Sequence, residues 1–120
     1  MRNTYVWFLQ LVTGVLIAVL LGIHVVIMHL DAILGFFGVD MAEVTSWESM
    51  IGRAIQGVWA SLYIALLAVV LYHALNGLRG IILESTPSAT TERIVTWVII
   101  AFGIIAFIGG TYVPVALLAS

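Results

Sequence analysis

Three long stretches of apolar residues, separated by two more polar segments, dominate the pattern along the chain. The first runs from Asn3 to Leu30, the second from Ala54 to Leu83, and the third from Ile94 to the C-terminus. Each exceeds the roughly 20 apolar residues that an α-helix needs to cross the hydrocarbon core of a bilayer. The pattern therefore predicts an all-α membrane protein, a three-helix transmembrane up-down-up bundle. Its helices are expected over about 5–30, 54–83 and 92–118.

Composition supports a membrane protein and excludes several kinds of chemistry. The chain is 63% hydrophobic and 8% charged, whereas a soluble domain of 120 residues needs more charge to cover its surface. The absence of cysteine excludes disulfides, iron–sulfur ligation and thiolate chemistry within this chain. The net charge of −2 argues against nucleic acid as a partner. With no internal repeat, residues 1–120 are expected to form a single transmembrane domain. No Ser or Thr is grouped with His and an acid, and no phosphate-binding glycine loop is present, so the sequence predicts no catalytic residues in this chain.

The four basic residues, all arginine, predict the orientation in the membrane. Arg2 precedes the first helix, and Arg79 and Arg93 flank the short turn between the second and third helices. In the longer connection, residues 31–53, four of the five charged residues are acidic. Short loops that are rich in arginine stay cytoplasmic, so the N-terminus is expected in the cytoplasm and Ser120 outside. The predicted location is the cell inner (cytoplasmic) membrane, which the chain crosses several times.

The two connections have different characters. The first mixes apolar and acidic residues and predicts an amphipathic segment at the membrane interface, with Phe36, Phe37 and Trp47 as anchors. The second is a short polar turn, in which the segment 88–92 offers Ser and Thr candidates for the N-cap of the third helix.

His73 is the most informative polar residue, because ionisable residues inside the hydrocarbon region usually face protein, water or a cofactor. Counted back from Glu84, it lies about 15 Å deep at the helical rise, near the middle of the bilayer. Gly77 and Gly80 follow on the same helix face and would leave space for a flat macrocycle bound through the imidazole. Because histidine commonly holds haem iron, the pattern predicts a haem site. Alternatively, His73 hydrogen-bonds a neighbouring helix and the glycines permit close helix packing.

Arg79 lies one to two turns nearer the cytoplasm than His73. Its side chain could reach the propionates of a haem held by His73, or it could extend to the membrane interface without binding a cofactor.

His24 and His29 are five positions apart and point in directions that differ by about 140°. We expect His24 to be a second haem ligand, with a packing histidine as the alternative. His29 is expected at the interface or in a hydrogen bond with Asp31. His24 lies roughly 25–30 Å from the inner edge, about twice the depth of His73, so two stacked haems fit better than one haem held by both residues.

Several motifs resemble the small membrane anchor subunits of succinate dehydrogenases and fumarate reductases. The run HALNGLRGIILE is similar to their histidine-glycine-arginine-acid signature. Trp7, Thr13-Gly14 and LGIH resemble their first helix, and the ending GGTYVPVALL resembles the close of their third helix. The match favours the type with two small anchor chains, and within it the D-like hydrophobic anchor subunit.

The resemblance implies a haem b subunit of respiratory complex II, in the tricarboxylic acid cycle and electron transport. Its partners would be a second membrane anchor subunit, an iron–sulfur subunit and a flavoprotein subunit, and its substrate a quinone. By the same resemblance, His73 ligates the haem nearer the iron–sulfur subunit, His24 ligates the distal haem, and Arg79 pairs with a propionate. The predicted quinone contacts are Gln10, Thr13 and Glu84.

The chain departs from the family pattern in two places near the predicted quinone site. Leu11 and Val12 occupy a region where many relatives carry an arginine, and Ser85 follows Glu84 where relatives carry a tyrosine. The quinone site could therefore lie mostly in the partner anchor. Two other functions stay open, namely a haem-free structural anchor and a small proton-relaying transporter or assembly protein.

Overall fold

The computed structural model of the chain describes residues 4–85 and 88–120. Arg2, on which the predicted orientation partly depends, lies outside these residues. Throughout the described part every regular element is helical. In chain order, the helices are α1 (Thr4–Met28), α2 (Leu30–Phe36), α3 (Trp47–Ala54), α4 (Gly57–Ser85) and α5 (Ala89–Ala119).

Three of these helices are long and apolar enough to cross a membrane, and they confirm the predicted fold class. Helices α1, α4 and α5 contain 25, 29 and 31 residues, which corresponds to about 37–47 Å at the helical rise. An α-helix bonds its interior backbone groups within the same segment, as a hydrocarbon environment requires. Pro114 lies inside α5, at a place where a membrane helix can tolerate a missing backbone donor.

The helix ends differ from the predicted bounds by a few residues. Helix α1 ends at Met28, because His29 leaves the helical region with φ −119° and ψ 15° and the chain begins α2 at Leu30. Helix α5 starts three residues earlier than predicted, at Ala89, after Ser88 in an extended conformation. The hydroxyl of Ser88 makes no capping bond. Apolar periodicity alone does not detect such polar first turns.

The long helices lie side by side with α4 in the middle. Helix α4 contacts α1 on one side and α5 on the other, and within the described residues no Cα atom of α1 lies within 8 Å of one in α5. The described chain measures 58 × 34 × 21 Å, as expected for a flat row of helices. The up-down-up connectivity is therefore realised as an open layer, whose broad faces are covered by the chain itself only where α3 packs against α4 and α5 in the described residues.

Few side chains are buried within this layer. The described residues with less than a tenth of their surface exposed are Thr13, Val44 and Ala60. Large apolar side chains of α1, α4 and α5 point outward, which suits contact with lipid or with other membrane helices. Because lipid is as apolar as these side chains, the packing between helices depends on small residues and on hydrogen bonds.

The first connection contains the two short helices. Ser46 caps α3, its hydroxyl accepting a hydrogen bond from the backbone amide of Ser49 at 3.3 Å. Arg53, in the last turn of α3, donates to the carbonyl of Val44 at 2.6 Å and holds the preceding loop against the helix. Phe36, Phe37 and Trp47 are all exposed, and their role as interfacial anchors stays a prediction.

Candidate functional site

His73 lies on the side of α4 that faces α1, where its ring meets Thr13 and Gly14. The ring Nδ1 is 3.1 Å from the hydroxyl oxygen of Thr13. A Cβ added to Gly14 would lie 3.4 Å from His73 Cε1, so the imidazole rests directly on the backbone of α1. The ring Nε2 has no hydrogen-bond partner among the described residues and is not enclosed by protein. His73 is thus held from one side and open at the other nitrogen.

A second contact from α1 fixes the backbone of the same helical turn. The amide nitrogen of Gln10 donates to the carbonyl of His73 at 3.1 Å. The amide oxygen of Gln10 accepts from Asn76 Nδ2 at 2.7 Å. Because a carbonyl can only accept, the bond to His73 also establishes which end of the Gln10 amide carries the nitrogen. Gln10 therefore links the two helices with both ends of its side chain.

The two glycines after His73 have different surroundings. A Cβ at Gly77 would lie 3.2 Å from Gln10 Nε2, so this glycine admits the Gln10 side chain. Nothing lies within 4 Å of a Cβ at Gly80. The expected open surface is therefore present at Gly80, whereas α1 occupies it at Gly77. The roles of both glycines in binding a cofactor stay predictions.

Arg79 extends from α4 toward α5. Its Nε donates to Thr96 Oγ1 at 2.8 Å, and its Nη2 lies 3.2 Å from Glu92 Oε1. The Arg79 side chain is 30% exposed and that of Glu92 59%, so solvent can screen this ion pair. The predicted pairing of Arg79 with a propionate would have to use its remaining donors or replace Glu92.

A polar cavity of about 780 Å³ lies at the end of the layer where α1 and α5 begin and α4 ends. It collects five of the candidate residues, and the polar side chains of Asn76 and Glu92 also line it. The candidate residues at the cavity are Gln10, Gly77, Arg79, Gly80 and Glu84. Thr13, predicted with Gln10 and Glu84 as a quinone contact, lies deeper beside His73 and outside this lining.

His24 lies at the other end of the α1–α4 interface. Its ring meets that of Tyr63 edge to face, with centroids 5.7 Å apart and an interplanar angle of 76°. Thr13 contacts His73, so it marks the level of His73 on α1. His24 lies eleven residues farther along α1, so the levels of the two histidines are about 16 Å apart in the direction of the helix axis. This separation agrees with the different depths predicted from the sequence and excludes a single haem held by both residues of one chain.

His29 is exposed, and its ring Nδ1 donates to the carbonyl of Val25 at 2.9 Å. Asp31 instead accepts from the backbone amide of Ala32 at 2.9 Å. The alternative in which His29 bonds Asp31 is therefore not what the structure shows. Across the described residues, no three metal-ligating side chains of the His, Cys, Asp and Glu types converge.

Sequence reasoning missed Asn76 and Tyr63. Asn76 was detectable as an amide in an apolar span three positions after His73, where it shares a helix face with the histidine. Tyr63 gave no such signal, because an aromatic residue in a membrane helix is common and only the position of α1 brings it to His24.

The motifs of this site are spread over all three long helices, and the family match extends equally far. The profile of the succinate dehydrogenase/fumarate reductase transmembrane subunit matches residues 2–110. The chain belongs to this family. The family match bears out the resemblance predicted from HALNGLRGIILE, whereas the haem and the D-like type lie beyond it.

Two curated relatives support the same family. The chain is 27% identical over 104 residues to the succinate dehydrogenase hydrophobic membrane anchor subunit of Thermoplasma acidophilum, covering 87% of this chain and 78% of the relative. It is 26% identical over 106 residues to the subunit of that name from Archaeoglobus fulgidus, covering 88% and 83%. No solved structure matches the chain significantly.

Proposed function

We propose that this chain is the membrane anchor and cytochrome b subunit of a succinate:quinone oxidoreductase. It binds haem b together with a second anchor chain, docks the flavoprotein and iron–sulfur subunits, and passes electrons to or from quinone. The observation that carries the proposal is the geometry of His73, an imidazole held at Nδ1 by a neighbouring helix with Nε2 left open.

The residues present fit a haem ligand. A ligating histidine commonly has its other ring nitrogen hydrogen-bonded within the protein, which fixes its orientation. Thr13 makes this contact with His73, and Gln10 holds the backbone of the same turn. A polar side chain that served only to join helices would be expected to bond the neighbouring helix and present no open donor atom. Bound haem would supply one-electron transfer, and His73 would hold its iron from this chain.

His24 is the proposed second ligand, at the distal level of α1. The edge-to-face contact with Tyr63 orients its ring. Because His24 and His73 are about 16 Å apart along the helices, each needs its opposite ligand from the second anchor chain. The open layer leaves a broad face on which such a chain can pack against both levels.

The proposed quinone site is the polar cavity at the end of the layer. Glu84 is exposed there, and its carboxylate could accept a hydrogen bond from a quinol hydroxyl. Gln10 lines the same cavity, although both ends of its amide already bond to α4. We therefore propose that Glu84 contacts the quinone head group and that Gln10 forms part of the cavity wall. Thr13 does not contact quinone in this arrangement.

Orientation and location follow the arginine bias. We place the end with the polar cavity, the N-terminus and the α4–α5 turn at the cytoplasmic side of the inner membrane, and Ser120 outside. The iron–sulfur and flavoprotein subunits would dock at the cytoplasmic end. Quinone would then bind at the end of the layer nearest to the iron–sulfur clusters.

The test is the haem content of the complex purified with all its subunits. We expect a reduced haem b absorption band in the wild type and loss of at least one haem signal in His73→Gln. His29→Gln is the matched control, because His29 is exposed and bonds only within its own turn of chain. It should retain the full band.

The haem spectrum and the subunit content of the purified complex together separate the competing functions. An intact complex that oxidises succinate without haem supports a haem-free anchor. Purification of the chain without soluble catalytic partners supports the transporter or assembly protein. Equal haem content in wild type and His73→Gln would overturn the assignment of His73.

A further inference from the structure

The hydroxyl of Thr13 makes three contacts, although it has one hydrogen to donate. Its Oγ1 lies 2.7 Å from the carbonyl oxygen of Leu9, 3.1 Å from that of Gln10, and 3.1 Å from His73 Nδ1. Thr13 is 8% exposed, so water has little access to its hydroxyl.

The shortest contact indicates where that hydrogen lies. Two oxygen atoms 2.7 Å apart have an ordinary O–H···O geometry and repel each other without a proton between them. A carbonyl oxygen cannot supply the proton, so the Thr13 hydroxyl donates to Leu9, one turn back in α1. Towards His73, the Thr13 oxygen can then only accept.

The acceptor role of Thr13 determines the tautomer of His73. A neutral imidazole carries one hydrogen, and a ring nitrogen that faces an acceptor at 3.1 Å must be the donor. Nδ1 therefore holds the hydrogen, and Nε2 keeps its lone pair. The reverse tautomer would point a hydrogen into open space at Nε2 and place two lone pairs opposite each other at Thr13.

We infer that Thr13 is a positioning residue that holds His73 in the Nδ1–H tautomer, with the Nε2 lone pair available to a metal. The step from tautomer to iron rests on the proposed function, whereas the tautomer itself does not. In the loaded complex, the Nδ1–H···Oγ1 bond increases the electron donation of the ligand and so favours ferric over ferrous iron. Thr13 thereby acts on haem through His73, without touching it.

The first experiment reads the tautomer without haem. Replacing His24 and His29 by Gln leaves His73 as the single histidine of the three in the chain. The full-length chain, labelled with ¹⁵N-histidine and reconstituted in lipid nanodiscs before haem loading, should show a protonated Nδ1. Thr13→Val, which keeps the branched shape and removes the hydroxyl, should lose this preference, and Thr13→Ser should retain it. An Nε2–H tautomer in the chain with native Thr13 would overturn the inference.

The second experiment uses the purified complex and measures the midpoint potential of the haem. Thr13→Val should raise the potential and weaken haem retention by about 10- to 100-fold, and Thr13→Ser should remain close to the wild type. Each tenfold loss of ferric preference corresponds to about 59 mV for a one-electron couple. An unchanged potential in Thr13→Val contradicts the link to the metal. An Nδ1–H ring in a complex that contains no haem would instead reject the proposed function and leave the tautomer assignment intact.

Discussion

A polar side chain in a membrane helix must satisfy its hydrogen bonds within the protein, and Gln10 does so at both ends of its amide. One end bonds the carbonyl of His73 and the other the amide of Asn76. The glycine at position 77 leaves room for this approach, since a Cβ there would lie 3.2 Å from Gln10 Nε2, which is closer than an ordinary contact. A residue expected to contact quinone therefore also joins two helices.

We expect Gln10→Leu to lower the free energy of unfolding by about 1–2 kcal/mol, because it leaves the amide of Asn76 and the carbonyl of His73 without this partner. Denaturant titration of the detergent-solubilised chain measures the change. Gln56→Leu is the control, since Gln56 lies exposed in the turn between α3 and α4, and its side-chain amide bonds the carbonyl of Gly52, four residues away, rather than α1. If the two variants lose equal stability, Gln10 does not stabilise the α1–α4 contact.

At the scale of elements, α4 and α5 approach closely where leucines of α4 meet glycines of α5. Leu75 Cδ1 lies 2.9 Å from the position of a Cβ at Gly103, and Leu67 contacts the corresponding position at Gly110. Without a hydrophobic driving force between helices in lipid, such close contacts supply much of the association energy. Helix association here depends on where glycines lie as much as on how apolar the helices are.

Gly110→Leu should separate α4 from α5 and cost about 1–3 kcal/mol, the usual range for inserting bulk into a packed contact. Gly109 provides a matched control one residue away, because nothing lies within 4 Å of a Cβ there. Both substitutions alter helix propensity equally, so their difference in unfolding free energy isolates the packing. Similar stability in the two variants would contradict the close contact at Gly110.

At the scale of the whole molecule, the three spanning helices form a row whose broad faces are covered only where α3 packs against α4 and α5 within the described residues. A closed bundle would bring α1 and α5 into contact, and the described residues show none. The row exposes apolar side chains along each long helix. A second anchor chain could pack on such a face and supply the other ligands of the proposed haems.

Cross-linking checks the row directly, and a chain without native cysteine gives no background. A short bifunctional thiol reagent should join Leu75→Cys to Gly103→Cys, which face each other across the α4–α5 contact. It should fail for Leu11→Cys with Gly103→Cys. Adjacent helices lie 8–10 Å apart, so the outer helices of a row are separated by roughly 16–20 Å. Efficient linkage of the second pair would indicate a closed bundle.

The family, the number of spanning helices and the approximate position of His73 within its span follow from the sequence. A bilayer imposes a length on each apolar stretch, and a helix satisfies its backbone locally, so neither property needs knowledge of distant residues. The same rise arithmetic separated the levels of His24 and His73. The signature around His73 is also contiguous, so the main motif of the family resemblance could be read from one segment.

Only the tertiary structure decided that α4 occupies the middle and that His73 faces Thr13, 60 positions away. It also showed that Gln10 fills the space at Gly77 and that Arg79 turns to α5. Periodicity describes the faces of one helix and does not state which neighbour lies on each face. That choice depends on how small residues and paired polar groups fit between helices, and these fits join parts of the chain that are far apart in sequence.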